Sequence, residues 1–242
     1  MSGVIERLLA AAPGLLILLD PERTGPDDAA VLARQAESGG AAGLLIGTSF
    51  DGAARTAEVA AAVKRVTDLP VLLFPGSAGQ LVPNVDAVLL LSLVSGRNPQ
   101  YLIEEHVRAV PFFQRHPIAT LSTAYMLVDG GRVTAVESVS QTRPLPADKP
   151  ELAAAHAIAG RMIGMGAVYM DAGSGASQPV APALIRAVRA AVDLPLFVGG
   201  GIRSAEQVRA AFGAGADFAV VGNAVEAGGV GALASLARAL AK

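Results

Sequence analysis

Residues 167–223 read AVYMDAGSGASQPVAPALIRAVRAAVDLPLFVGGGIRSAEQVRAAFGAGADFAVVGN, and this stretch decides the fold. Three short apolar runs, Ala167–Gly173, Pro195–Gly201 and Phe218–Asn223, each end in small or polar residues. Between them lie two longer amphipathic segments, Ala181–Ala191 and Ser204–Ala214. Near-continuous hydrophobic runs suit strands buried on both faces, as a parallel sheet requires, and the intervening segments supply its crossover helices. Ser204 followed by Gln207 has the form of a capping box opening the second of these helices.

The same alternation runs through the rest of the chain. Further strand-like runs occur at Leu15–Asp20, Gly43–Thr48, Pro70–Pro75, Asp86–Ser92 and Thr123–Val128, and helical patterns at Asp27–Ser38, Ala53–Val66, Pro150–Met165 and Gly231–Ala241. Eight strands alternating with helices in 242 residues predict a single (β/α)8 TIM barrel spanning residues 1–242. A doubly wound sheet is the alternative, but no second lobe accompanies the strands. Two spacings break the regularity. Only ten residues, including Gly76, Gly79 and Pro83, separate Pro75 from Asp86, fewer than a helical crossover wants. The third helix is therefore expected to be missing or replaced by a loop. Between Val128 and Ala167 the turn signal Asp129-Gly130-Gly131, the alternating Arg132–Ser140 and the proline-rich Arg143–Pro150 predict a hairpin-like excursion.

Composition narrows the chemistry. Hydrophobic residues make up 52% and charged residues 17%, enough apolar surface to build a large core and exclude disorder. The net charge of −2 gives no electrostatic footprint for nucleic acid. Cysteine is absent, which excludes disulfides, thiol catalysis and cysteine-ligated metals, and the three scattered histidines disfavour a histidine-rich metal site. No apolar run reaches the roughly 18 residues of a membrane helix. The run Leu8–Leu19 is split by Pro13-Gly14 and preceded by the cancelling charges Glu6 and Arg7, so it does not read as a signal peptide. A cytoplasmic protein is expected.

Barrel active sites lie at the C-terminal ends of the strands. Glycines after the seventh and eighth predicted strands, Gly199-Gly200-Gly201 and Gly222-Asn223, let backbone N–H groups approach an anion, as in phosphate-binding barrels. Gly173-Ser174-Gly175 adds a third such turn. Asp20, before Pro21, suits either a turn cap or a magnesium ligand, since magnesium prefers one carboxylate supplemented by phosphate oxygens and water. Ser49 could add a hydroxyl ligand or merely cap a helix. Asp171 has no obvious structural task at the end of a buried strand and is the candidate catalytic carboxylate. His106, His116 and His156 fall in helices or connections and are read as surface or packing residues.

The segment Tyr169-Met170-Asp171-Ala172-Gly173-Ser174-Gly175-Ala176 resembles the YLEAGSGA motif of geranylgeranylglyceryl phosphate synthases. Leu19-Asp20-Pro21, Phe74-Pro75-Gly76, Leu91-Ser92-Leu93, Arg97-Asn98-Pro99, Val198–Arg203 and Val221-Gly222-Asn223 extend the resemblance, in the family's order, over Leu15–Glu226. Leu18 stands where the heptaprenylglyceryl phosphate branch generally has lysine, which places the chain nearer the geranylgeranyl branch. The resemblance implies transfer of a prenyl group from a prenyl diphosphate to the 3-hydroxyl of sn-glycerol 1-phosphate, an ether-lipid precursor step. It also implies a Mg2+ cofactor at Asp20 and Ser49, and a glycerol-phosphate site formed by Tyr169, Met170, Asp171, Ala172, Gly173, Ser174, Gly175, Gly200, Gly201, Gly222 and Asn223. A homo-oligomer is expected, with peripheral membrane contact for product release. The gap at the third helix would accommodate an apolar tail.

Two departures stand out: Asp171 replaces the family's glutamate, and Thr48 replaces a glycine. Rival readings are a sugar-phosphate isomerase or aldolase using Asp20 and Asp171 as acid and base, and a catalytically silent barrel that binds an isoprenoid or phosphate. A magnesium-dependent prenyl-transfer assay separates all three.

Overall fold

The computed structural model describes residues 3–48 and 53–237. Its elements are α1 (Gly3–Ala10), β1 (Gly14–Leu19), α2 (Pro26–Ser38), β2 (Gly43–Ile46), α3 (Ala53–Lys64), β3 (Val71–Leu73), a 3₁₀ turn (Ala78–Gln80) and β4 (Ala87–Leu93). A π-helical turn (Gln100–Glu104) then leads into α4 (Glu105–Arg115), followed by β5 (Ala119–Leu127), α5 (Ala135–Ser140), α6 (Pro150–Met162) and β6 (Ala167–Asp171). The chain continues through α7 (Pro182–Ala191), β7 (Leu196–Gly199), α8 (Ala205–Gly213), β8 (Phe218–Val221) and α9 (Asn223–Ala237).

The eight strands pair in sequence order, all parallel, and β8 closes onto β1. Alternation along each strand divides the core. Leu16, Leu45, Leu72, Leu89, Tyr125, Tyr169, Phe197 and Phe218 pack inside the barrel, with Ile5 and Leu8 of α1 beneath them. Their neighbours pack outward under the helices: Leu15, Ile17 and Leu19 on one side, Val168, Met170 and Val198 on the other. Because both faces of every strand are covered, each run is apolar throughout.

The shortened third crossover is present as a single 3₁₀ turn where a helix would otherwise stand. Three expectations change. Residues 132–140 do not form a hairpin: Thr134 accepts a hydrogen bond from the N–H of Glu137 and opens the short helix α5. The seeming alternation there includes Val136 and Val139, spaced for one helical face. Two helices have no counterpart among the sequence expectations: α1 (Gly3–Ala10) and the one that fills residues 100–115. Pro111 lies within the latter on an exposed face, where the carbonyl left without a helical donor is open to solvent. Finally, α9 begins at Asn223, directly after β8, and is interrupted at Gly229 (φ 52°). The capping box at Ser204 and Gln207 forms as expected.

Candidate active site

The C-terminal ends of the strands open into one groove of about 1450 Å3, including its solvent-open part. Its polar end is built by Asp20, Thr48, Asp171, Ser174, Gly200, Gly201, Arg203, Gly222 and Asn223. Its apolar arm is lined by Phe74, Leu81, Leu91 and Leu93, by Tyr101 and Ala109 before and within α4, and by Val136 and Val139 of α5. This arm occupies the gap left by the missing third helix.

The glycines shape the polar end. Gly200 (φ 78°) and Gly201 (φ 71°) adopt left-handed backbone. A Cβ on Gly200 would lie 2.6 Å from Asp171 Oδ1 and from the Gly173 nitrogen, so a side chain has no room there. The N–H groups of Gly201 and Ile202 donate to no acceptor among the described residues. They stand just before the N-terminus of α8, a suitable cradle for a phosphate. Asn223 Oδ1 accepts from the Gly175 N–H at 3.0 Å and from Ser174 Oγ at 3.3 Å, joining the β6 and β8 loops.

Asp171 does have structural partners, contrary to the sequence reading. Tyr125 Oη donates to Oδ2 at 2.5 Å, and the Gly173 N–H donates to Oδ1 at 2.8 Å. The carboxylate is 7% exposed, and burial pushes its pKa above the ordinary value, while the Tyr125 and Gly173 hydrogen bonds pull it back. Burial, followed by the neighbouring Asp171 charge, holds the Tyr125 and Tyr169 phenols well above their ordinary pKa, so both remain protonated. Their rings meet that of Phe74: Phe74 stacks on Tyr169 at 4.9 Å, and Tyr125 lies 5.6 Å from Tyr169.

The remaining proposed residues fall as follows. Tyr169, Asp171 and Ser174 face the groove, whereas Met170 and Ala172 point outward and are fully buried beneath the helices. Gly173 (φ 88°) and Gly175 (φ 73°) shape the turn. Asp20 lines the groove while its Oδ1 accepts from the Glu22 N–H at 3.0 Å and its Oδ2 faces Arg23 Nε at 3.7 Å. It thus fills the turn role and still presents a carboxylate. Ser49 lies outside the described residues. His106 lines the groove but bonds through Nε2 to the Leu91 carbonyl at 2.7 Å, a packing role. Tyr125 was not singled out in sequence, and Phe74 and Arg203 entered only as parts of the resembling segments, with no site role. Tyr125 had a signal, since it shares the inner face of β5 with Leu121 and Leu127.

A closed eight-strand parallel barrel with unpaired backbone donors after β7 defines the class of phosphate-binding (β/α)8 barrels. The chain belongs to the PcrB family, whose model matches residues 9–240. It is 44% identical to the geranylgeranylglyceryl phosphate synthase of Spirosoma linguale over 90% of this chain and 88% of that protein. The corresponding enzyme of Korarchaeum cryptofilum is 40% identical over 92% of both chains. Among solved structures, (S)-3-O-geranylgeranylglyceryl phosphate synthase from Thermoplasma acidophilum, in complex with sn-glycerol-1-phosphate, superposes with a TM-score of 0.92 at 30% identity, covering 99% of this chain and 98% of that one. A thiamine phosphate pyrophosphorylase from Pyrococcus furiosus, at 15% identity and a TM-score of 0.63, shares the fold alone.

Proposed function

We propose that the protein is a prenyltransferase joining a prenyl diphosphate, geranylgeranyl diphosphate foremost, to the 3-hydroxyl of sn-glycerol 1-phosphate. The observation that carries this reading is the joining of a phosphate cradle to an apolar arm in one groove, with Asp171 and three aromatic rings among its lining residues. A sugar-phosphate isomerase has no use for the apolar arm. The relatives point the same way, since those named above at 30% identity or more are called geranylgeranylglyceryl phosphate synthases.

In this reading the Gly201 and Ile202 N–H groups hold the acceptor phosphate. The acceptor oxygen bonds to the prenyl C1 as the C1–O bond to diphosphate breaks, and the hydroxyl proton passes to Asp171. Phe74, the partly exposed ring that stacks on buried Tyr169, attracts the positive charge growing on the allylic carbon. Asp20 is a suitable donor for Mg2+: one groove-lining carboxylate is what magnesium needs when phosphate oxygens and water complete its shell. Among the described residues no group of three or more acidic, histidine or cysteine ligands offers an all-protein cage. Bound there, magnesium would neutralise charge on the departing diphosphate. Ser49 is the second proposed ligand.

The test is radiolabelled geranylgeranyl diphosphate with sn-glycerol 1-phosphate, with and without Mg2+. Organic-extractable, magnesium-dependent product is expected; binding of both compounds without turnover would instead indicate a silent barrel.

A further inference from the structure

The groove's apolar arm has two walls that belong to different elements. One is the 3₁₀ turn with its flanks, contributing Ser77, Ala78 and Leu81; the other comes from the π turn and α4, contributing Tyr101, His106 and Ala109. A single 3₁₀ turn has little internal hydrogen bonding, so its position depends on outside ties. On the side away from the arm, Asn84 Nδ2 donates to the Ala57 carbonyl of α3 at 2.9 Å. Across the arm, the Ala78 N–H donates to Glu105 Oε2 at 2.8 Å. The other oxygen, Oε1, accepts from Gln100 Nε2 at 3.0 Å and from Arg108 at 2.9 Å, which anchors the carboxylate to its own helix. The Glu105 side chain is only 12% exposed and itself lines the groove.

We infer that Glu105 is a positioning residue for the prenyl substrate: it spans the two walls of the apolar arm and fixes the space a hydrocarbon tail enters. The ion pair with the exposed Arg108 contributes little by itself, because solvent screens it. The tie to Ala78 is what matters, since removing its acceptor leaves a part-buried N–H without its protein partner and frees the turn to shift. This inference rests on the proposed prenyl transfer and names the residue that shapes its donor site.

Three variants test it: Glu105→Ala, Glu105→Gln, and Glu104→Ala, which removes the other carboxylate facing Arg108 and leaves the Ala78 tie intact. Calorimetric binding and steady-state kinetics use geranylgeranyl and farnesyl diphosphate. Glu105→Ala is expected to weaken prenyl diphosphate binding and raise its KM about tenfold, the scale of one lost hydrogen bond to a charged acceptor. The KM for sn-glycerol 1-phosphate and the pH profile stay unchanged, and the loss is larger for the longer prenyl chain. Glu105→Gln keeps an acceptor for Ala78 and restores near-normal binding, while Glu104→Ala matches the wild type. Amide exchange at Ala78 accelerates in Glu105→Ala alone. Wild-type prenyl affinity in folded Glu105→Ala, an equal loss for both substrates, or Glu105→Gln as defective as Glu105→Ala each overturns the inference. A wild-type protein that binds no prenyl diphosphate overturns the proposed function instead.

Discussion

Asp171 places a carboxyl group where water is scarce, and its two partners determine what ionising it costs. Burial raises its pKa, and the Tyr125 hydroxyl opposes the rise. If Asp171 must be ionised to take the acceptor proton, the acid limb of kcat/KM lies above the ordinary carboxylate value of about 4. Tyr125→Phe removes an interaction that favours the charged form, so the limb should move to still higher pH. A pH–rate profile of both enzymes checks this, and an unmoved limb would detach Tyr125 from Asp171's titration. The same shift has a stability counterpart. A raised folded pKa contributes stability present below about pH 4 and lost as pH rises through the folded value. Asp171→Asn can still accept from Gly173 and carries no charge to bury. Its Tm advantage over the wild type should therefore grow as pH rises. For activity, Asp171→Ala is expected to lose on the order of 10²–10⁴ in rate, as for removal of a general base. Asp171→Glu should retain turnover, because it restores the residue of the resembled motif on the same strand end. Loss equal to Asp171→Ala would argue against the acceptor assignment.

At the scale of elements, the loops after β7 and β8 are not equivalent. Gly200 combines a positive φ with a blocked Cβ direction, whereas the nearest contact of a Cβ on Gly222 is 3.3 Å, at the Leu18 carbonyl, and its φ is not left-handed. Gly200→Ala should cost about 1–2 kcal/mol from backbone strain alone, and should raise the KM for sn-glycerol 1-phosphate more than that for the prenyl diphosphate. Gly222→Ala should be milder on both. Calorimetric titration of each substrate, alongside thermal melts, separates the two; parallel loss of both affinities in Gly200→Ala would mean general damage to the barrel mouth. These glycine turns were legible in sequence because they punctuate strand ends. The helix at residues 100–115 was not, since Pro111 argues against a helix in the sequence although the helix runs through it, and its stability comes from packing on the barrel. The short helix α5 was hidden for a related reason: a six-residue segment reads as alternating or helical equally well until Thr134 caps it.

For the molecule as a whole, Asp20 stands at the rim while the core lies beneath, so its loss should spare the fold. Asp20→Ala is expected to abolish magnesium-dependent turnover while circular dichroism and Tm remain near those of the wild type. Near-normal magnesium-dependent activity would place the metal elsewhere. Among the described residues no helix is long and apolar enough to cross a membrane. Exposed apolar side chains nevertheless collect on the outer face of the residue 100–115 helix, where Ile103, Val107 and Val110 are 55%, 63% and 48% exposed. We expect these to be covered in a homo-oligomer. Light scattering at micromolar concentration measures this, and a monomer would refute it.

The order of the eight strands, the shortened third crossover and the positions of the glycine turns follow from the sequence, because hydrophobic period and turn chemistry are local properties. Alternation along β6 and the residue after it likewise separates Tyr169 and Asp171 from Met170 and Ala172. Only closure of the barrel decides which set lies inside. The Tyr125–Asp171 bond joins residues 46 positions apart, and the Ala78–Glu105 tie residues 27 apart. Neither spacing leaves a periodic trace in the chain. Such contacts depend on strand register and on how each helix docks, both set by the packing of the entire core.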